Sequence, residues 1–270
     1  MALSLLFPQR VYADGSLKYG IAPSNSISDL SLSALEESLG KYDIYVIEID
    51  SENNIPYYDI FACLIKNKTP LISIGENCNM VKTAKALGRL NRPFTAEICP
   101  LTSSCTLSKE EYLSLFQSSS AAFKKYAPKC TVLYSFSLEN TEKAQEYFPG
   151  SYYADEVGFI LCCTQQKNLL YPYLQTKKAY DAFSSKLPVM FSRFAVSHFS
   201  TASESYTTEE TIQTIENFYD CVKTEFSKIS AVIYWDKYVS EKLPQGAYAN
   251  DYRISQPKEL AEKYKAVVKD

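Results

Sequence analysis

The sequence predicts a single-domain (β/α)8 barrel, and three observations carry that prediction. Short β-rich runs alternate with longer helix-like stretches eight times from Tyr19 onward. The β-rich runs are nearly continuous in apolar residues, as strands buried on both faces are. No linker rich in Gly, Pro or Ser divides the chain, and 270 residues suit one such barrel. A doubly wound open sheet alternates in the same way but usually brings a glycine-rich phosphate turn. The eight glycines here form no such pattern.

The elements follow in order. YGIAP (19–23) is the first strand, and SISDLSLSALEESLG (26–40) follows with helical spacing and a terminal glycine. IYVIEID (44–50) is the second strand, with a helix near 56–67. PLISIG (70–75) is the third, with NMVKTAKALGRL (79–90) as its amphipathic helix. PFTAEICP (93–100) is the fourth, and Ser108 with Glu111 is a capping-box pattern opening a helix to about Tyr126. TVLYSFS (131–137) is the fifth strand, followed by a short helix at 140–147. EVGFILCC (156–163) is the sixth, with a helix at about 171–186. LPVMFSRF (187–194) is the seventh, and Thr207 with Glu210 repeats the capping box ahead of a helix to about Lys228. ISAVIYWD (229–236) is the eighth, and Pro257 to Val268 is the closing helix.

Residues 1–18 stand outside this barrel, which takes up 19–270. A short apolar run ahead of Val11-Tyr12-Ala13 reads either as the remnant of an export signal or as an ordinary N-terminus. The first reading places the protein outside the cytoplasm, as a secreted, cell-envelope or spore-surface component. No run is long enough to span a membrane.

Composition narrows the function. A formal charge of -3 gives no electrostatic case for nucleic acid or an anionic membrane. Tyrosine is abundant at 22 residues, which favours a surface of flat amphipathic rings such as sugar-binding clefts offer. The eight cysteines show no C-x-x-C pair and no His-spaced cluster, so no metal or other cofactor is expected. They read as buried free thiols, with a Cys99–Cys105 disulfide left open. The single histidine, His198, rules out a multi-His metal centre.

In a barrel, chemistry belongs at the C-terminal ends of the strands, which singles out Asp50, Glu97, Arg193, His198, Trp235 and Asp236. Trp235 reads as core or as a stacking platform for pyranose rings, to which Tyr234, Tyr152 and Tyr153 would add. Asp236 would accept hydrogen bonds from sugar hydroxyls or cap a loop. His198 would make a local hydrogen bond or touch ligand. Asp155 reads as fixing the start of the sixth strand.

FPGSYYADEVGF (148–159) is similar to the motif Tyr-Pro-Gly-Asp-x-Tyr-Val-Asp-Trp-Val-Gly that precedes strand six in glycoside hydrolase family 26, the β-mannanase group. Pro149, Gly150, Tyr153, Asp155, Val157 and Gly158 fit it; Ser151, Ala154 and Glu156 depart. LPVMFSRFAV resembles that family's strand seven, with Pro188 matching, and AVIYWD (231–236) and NDYRIS (250–255) resemble its strand eight and closing segment. The resemblance covers about Tyr19 to Tyr264. It implies a general acid/base glutamate at the end of strand four and a nucleophilic glutamate at the end of strand seven. Glu97 matches the first by placement, without the family's flanking Arg and Asn-Gly. Arg193 stands at the second.

Retaining hydrolysis needs two carboxyl groups about 5–5.5 Å apart. A guanidinium stays charged and cannot attack. Facing Glu97, it would also lower the carboxyl pKa, against the need of a general acid. The resemblance therefore implies a degenerate barrel that binds a polysaccharide or a cell-envelope partner. The alternative is an active retaining hydrolase on a mannan-like polymer, its nucleophile moved to Asp50, Glu48 or Asp236.

Overall fold

The computed structural model describes residues 16–25, 27, 32–49, 54–164, 170–200, 207–243 and 246–268. Eight parallel strands close into a barrel. They are β1 (Lys18–Ala22), β2 (Ile44–Ile49), β3 (Thr69–Ile74), β4 (Phe94–Ile98), β5 (Cys130–Ser137), β6 (Glu156–Cys163), β7 (Val189–Val196) and β9 (Ile229–Trp235). Pairing of β1 with β9, from Lys18↔Ala231 to Ala22↔Trp235, makes the closing seam. The connecting helices are α1 (Leu32–Leu39), α2 (Tyr57–Ile65), α3 (Met80–Gly88), α4 (Lys109–Tyr126), α5 (Thr141–Glu146), α6 (Leu170–Phe183) and α7 (Thr208–Glu225), with α8 (Lys258–Val267) after the last strand. The fold class expected from the sequence is the one observed.

One feature was not expected. After the barrel strands, β8 (Phe199–Ser200), β10 (Tyr238–Leu243) and β11 (Gly246–Asp251) form a separate antiparallel sheet in the order β10-β11-β8. It is built from segments that follow β7 and β9, so it lies at the C-terminal end of the barrel.

Local chemistry starts the two longest helices where the sequence placed them. Ser108 and Thr207 are N-caps whose hydroxyls accept from the N–H groups of Glu111 and Glu210, and each glutamate accepts from the cap's own N–H. Asn79 caps α3 by accepting from Lys82 N–H at 3.0 Å. The start of β6 is held as expected: Asp155 accepts from Val132 N–H at 2.8 Å and donates its own N–H to the Val132 carbonyl at 2.8 Å.

The core has two layers. A small interior cluster of Ala22, Ile44, Val46, Leu71, Leu133, Met190, Ala231 and Ile233 fills the barrel. A far larger shell lies between strands and helices, rich in packed rings such as Phe136, Phe159, Phe183, Phe191 and Phe194. The tyrosines belong mostly here. Tyr42, Tyr45, Tyr112, Tyr134, Tyr219, Tyr234 and Tyr264 are among the largest fully buried side chains. Their hydroxyls are satisfied inside: Tyr42 donates to Leu39 carbonyl and Tyr134 to Ala144 carbonyl, each at 2.8 Å, and Tyr219 pairs with Tyr264 at 2.8 Å. The expected surface of tyrosine rings gives way to a tyrosine-laced shell.

All eight cysteines are free, so the Cys99–Cys105 bridge is not made. Among the described residues no helix is long and apolar enough to cross a membrane.

Candidate functional site

Glu97 lies near the C-terminal end of β4, in register with Ser73 of β3 and Leu133 of β5. Leu133 belongs to the interior cluster, so this row of side chains faces into the barrel. Glu97 is wholly buried there. A lone carboxylate at such a place needs a charged partner.

Arg193 supplies it. Its Nη1 donates to Glu97 Oε1 at 2.9 Å, and its Nη2 lies 2.8 Å from Glu97 Oε2 while donating to Ser73 Oγ at 2.9 Å. Burial alone would push the Glu97 carboxyl up. The Arg193 charge, with the Ser135 and Ser73 hydroxyls, outweighs it and holds the carboxyl below its ordinary range. Burial likewise opposes the guanidinium charge, and Glu97 restores it with help from Glu48.

A β-bulge turns Arg193 inward. Phe159 of β6 pairs with Phe191, yet the next residue, Ile160, pairs with Arg193, leaving Ser192 as an extra residue in β7. Phe191 and Phe194 both face α7, with ring centroids 5.0 and 3.9 Å from Phe218. Strict alternation from Phe191 would place Arg193 on that same outer side. The inserted residue instead lets Ser192 and Arg193 both face the barrel interior. Gly158 makes room: a Cβ there would stand 2.9 Å from Ser135 Cβ and 3.0 Å from Ser192 Oγ.

Around this pair lie Glu48 and Lys237, whose charged groups are 3.7 Å apart. Glu48 is in register with Ser73 on the neighbouring strand and is exposed, unlike Glu97. Cys162 also lies close to Arg193, and burial pushes its thiol up to about 12.

The other expected site residues separate. Trp235 stands at the mouth, half-buried, packed on the interior cluster and 5.7 Å from the Tyr252 ring centroid. His198 donates its backbone N–H to the Asp251 carbonyl, and its Nε2 is 3.5 Å from Asp251 Oδ1. Asp236 is buried and serves as a clasp, accepting from Ser24 Oγ, Ser255 N–H and Ser255 Oγ at 2.9 Å each. Those bonds occupy both carboxyl oxygens, so the loop-holding role replaces the expected ligand contact.

Tyr234 is corrected outright. It is fully buried on the shell side, its hydroxyl 3.3 Å from both Val196 N and O and its ring 5.1 Å from Tyr264. Neighbouring strand residues face opposite ways, so Trp235 at the mouth requires Tyr234 in the shell. Tyr152 and Tyr153 are corrected too. They precede β6 and lie at the N-terminal end of the barrel, where Lys124 sits 5.5 Å from the exposed Tyr152 ring. That end also carries a cavity of about 860 Å³, lined by Thr69, Thr95, Thr131 and Glu156 among others. Asp50 lies outside the described residues.

Among the described residues, the buried polar atoms without a hydrogen-bond partner at this end of the barrel are Glu97 Oε2, which is ion-paired with Arg193, Ser135 Oγ, Ser192 Oγ, His198 Nε2, Trp235 Nε1 and Asn250 Oδ1. Among the described residues, no group of three His, Cys, Asp or Glu is placed to hold a metal.

The sequence reading missed Ser73, Ser192, Asn250, Lys237 and the three-stranded sheet. Register with Glu97 is the signal that would have found Ser73. For the bulge, the signal is the spacing of Phe191 and Phe194, which no period of two accommodates on one face.

No protein-family model and no curated protein sequence matches the chain. Solved structures share its fold. Bacteroides uniformis β-glucuronidase 2 aligns with TM-score 0.70 at 13% identity, over 94% of this chain and 35% of that one. A family 26 β-mannanase from Bacteroides ovatus aligns with TM-score 0.64 at 10% identity, over 95% of this chain and 89% of that one. An endo-1,4-β-xylanase from Caldicellulosiruptor owensensis aligns with TM-score 0.60 at 12% identity, over 93% and 97%. The chain spans about a third of the length of the β-glucuronidase chain. These neighbours are glycoside hydrolase (β/α)8 barrels, and this chain has their fold.

Proposed function

We propose that this chain is a divergent, family-26-like barrel that binds a β-linked polysaccharide in its mouth and does not cleave it by the retaining mechanism. One observation carries the reading: both Glu97 oxygens are engaged by Arg193, inside the barrel and out of water. Double displacement needs a carboxylate that attacks and a carboxylic acid that protonates the leaving oxygen. Arg193 cannot attack, and a carboxyl held ionised by it is a poor acid. The half-buried Trp235 ring at the mouth, beside Tyr252, supports retention of a surface for sugar rings. A cell-envelope glycan outside the cytoplasm is the partner this reading favours, and protease accessibility of the protein on intact cells tests that location.

The main test pairs a glycan-binding screen with a reducing-sugar assay on soluble β-mannan and β-xylan. Binding without product is expected. Turnover that vanishes in Glu97→Gln would overturn the proposal. Glu48 favours a second reading, hydrolysis by a relocated carboxylate, because its side chain is exposed in the mouth on the same register row as Glu97. Turnover lost in Glu48→Gln would support that reading.

A further inference from the structure

Cross-strand pairing fixes one row of the three-stranded sheet: Asp251 of β11 is paired with Tyr238 of β10 on one side and Phe199 of β8 on the other. Directly paired residues project from the same face. Phe199 and Tyr238 therefore flank Asp251, two strand spacings or about 9–10 Å apart. Both rings are exposed, at 43% and 50%, while Asp251 between them is buried.

Arg253 completes the row. It donates Nε to Asp251 Oδ1 at 2.9 Å and Nη2 to Oδ2 at 2.7 Å, and its guanidinium lies 5.3 Å from the Tyr238 ring centroid. A planar fork locked on a carboxylate and stacked on a ring is a rigid surface with little conformational entropy left to lose. Its charge is cancelled by Asp251, whose carboxyl burial would raise but Arg253 and His198 hold down. The patch is thus aromatic and locally neutral.

From this juxtaposition we propose that Phe199, Tyr238 and Arg253 form an outer platform for further sugar rings of a neutral β-linked polysaccharide leaving the mouth; the inference rests on the glycan-binding reading above. Exposed aromatic faces take the apolar C–H sides of pyranose rings, and the guanidinium edge donates to their hydroxyls. Neutrality disfavours an anionic ligand. The sheet that carries the platform adjoins the mouth, because Tyr252, next to Asp251, packs on Trp235 and donates its N–H to the Lys237 carbonyl.

The test is affinity electrophoresis of the full chain in soluble β-mannan or β-xylan, beside titration with the matching trisaccharides. A double variant, Phe199→Ala with Tyr238→Ala, is compared with wild type after unchanged thermal unfolding is verified; Arg253→Lys serves as a second, milder variant. Weakening of polymer binding by at least about tenfold, with trisaccharide affinity unchanged, is expected. Unchanged polymer binding would overturn the platform and leave the mouth reading intact. Equal loss for polymer and trisaccharide would overturn it as a separate subsite. Absence of any glycan binding by wild type would sink both. A wild-type dimer made monomeric by the double variant would show that the patch serves a second copy instead.

Discussion

Arg193 and Glu97 illustrate how one substitution changes both the chemistry and the energetics of a site. Two charges removed from water are stable only together, because each desolvated ion needs the other. Arg193→Ala is therefore expected to destabilise the protein by about 3–5 kcal/mol, as read by urea denaturation. The double variant Glu97→Leu, Arg193→Met is expected to be neutral or more stable than wild type in the same assay. The pH dependence has a definite sign. The folded carboxyl titrates below its usual 4.5, so its contribution is fully present above the unfolded-state value and is lost as pH falls through the lower folded value. Stability of wild type relative to Glu97→Gln should thus shrink only below about pH 4.5, measured by denaturation across an acid series. The placement of these two residues near the ends of the fourth and seventh strands was legible from apolar runs and strand order, but their meeting depends on the β7 bulge, which only pairing with β6 reveals. The burial of Tyr234 was legible in part: alternation along a strand forbids Tyr234 and Trp235 from sharing a face. Which of the two enters the mouth depends on the barrel's register, and that is a long-range property.

At the scale of elements, the helices that caps define were the readable ones. Ser108 and Thr207 announce α4 and α7 through local hydrogen bonds, so sequence neighbours suffice to place them. Ser108→Ala is expected to cost about 1 kcal/mol, visible as a lower unfolding midpoint. Gly88, by contrast, is fixed by a contact that no local pattern reveals. A Cβ there would come within 1.9 Å of the Tyr126 carbonyl oxygen at the end of α4. Gly88→Ala must push the two helices apart, and a loss of about 1–3 kcal/mol in the same assay is expected. The three-stranded sheet escaped the sequence reading for a related reason. Its strand β8 has two residues and is placed by long-range pairing, Phe199 with Asp251, while β10 and β11 pair locally as a hairpin that carries no continuous apolar run. The bulge in β7 is similar: Ser192 is an ordinary serine until register with β6 shows it to be the extra residue.

Across the whole molecule, the closed barrel separates two ends with different duties. The C-terminal end gathers Glu97, Arg193, Trp235 and the added sheet, whereas Tyr152, Tyr153 and Asp155 lie at the N-terminal end, where Asp155 anchors β6. Strand direction fixes this division, since every loop before a strand lies at one end and every loop after it at the other. The two exposed-aromatic regions can therefore be tested against each other. Tyr152 is 74% exposed and would pass for a sugar platform on exposure alone, while Trp235 is half-buried beside Tyr252. If binding belongs to the mouth, exposure must predict the outcome poorly and strand polarity must predict it well. Trp235→Ala is expected to weaken polysaccharide binding by about tenfold or more, with Trp235→Phe intermediate because it keeps a ring but drops the indole N–H. Tyr152→Ala should leave binding unchanged. The checks are retardation in a polysaccharide gel and thermal unfolding for each variant, so that lost packing of Trp235 on the interior cluster is told apart from lost stacking. The opposite ranking, with Tyr152 essential and Trp235 dispensable, would move the ligand to the other end of the barrel and take the Arg193–Glu97 pair out of its account.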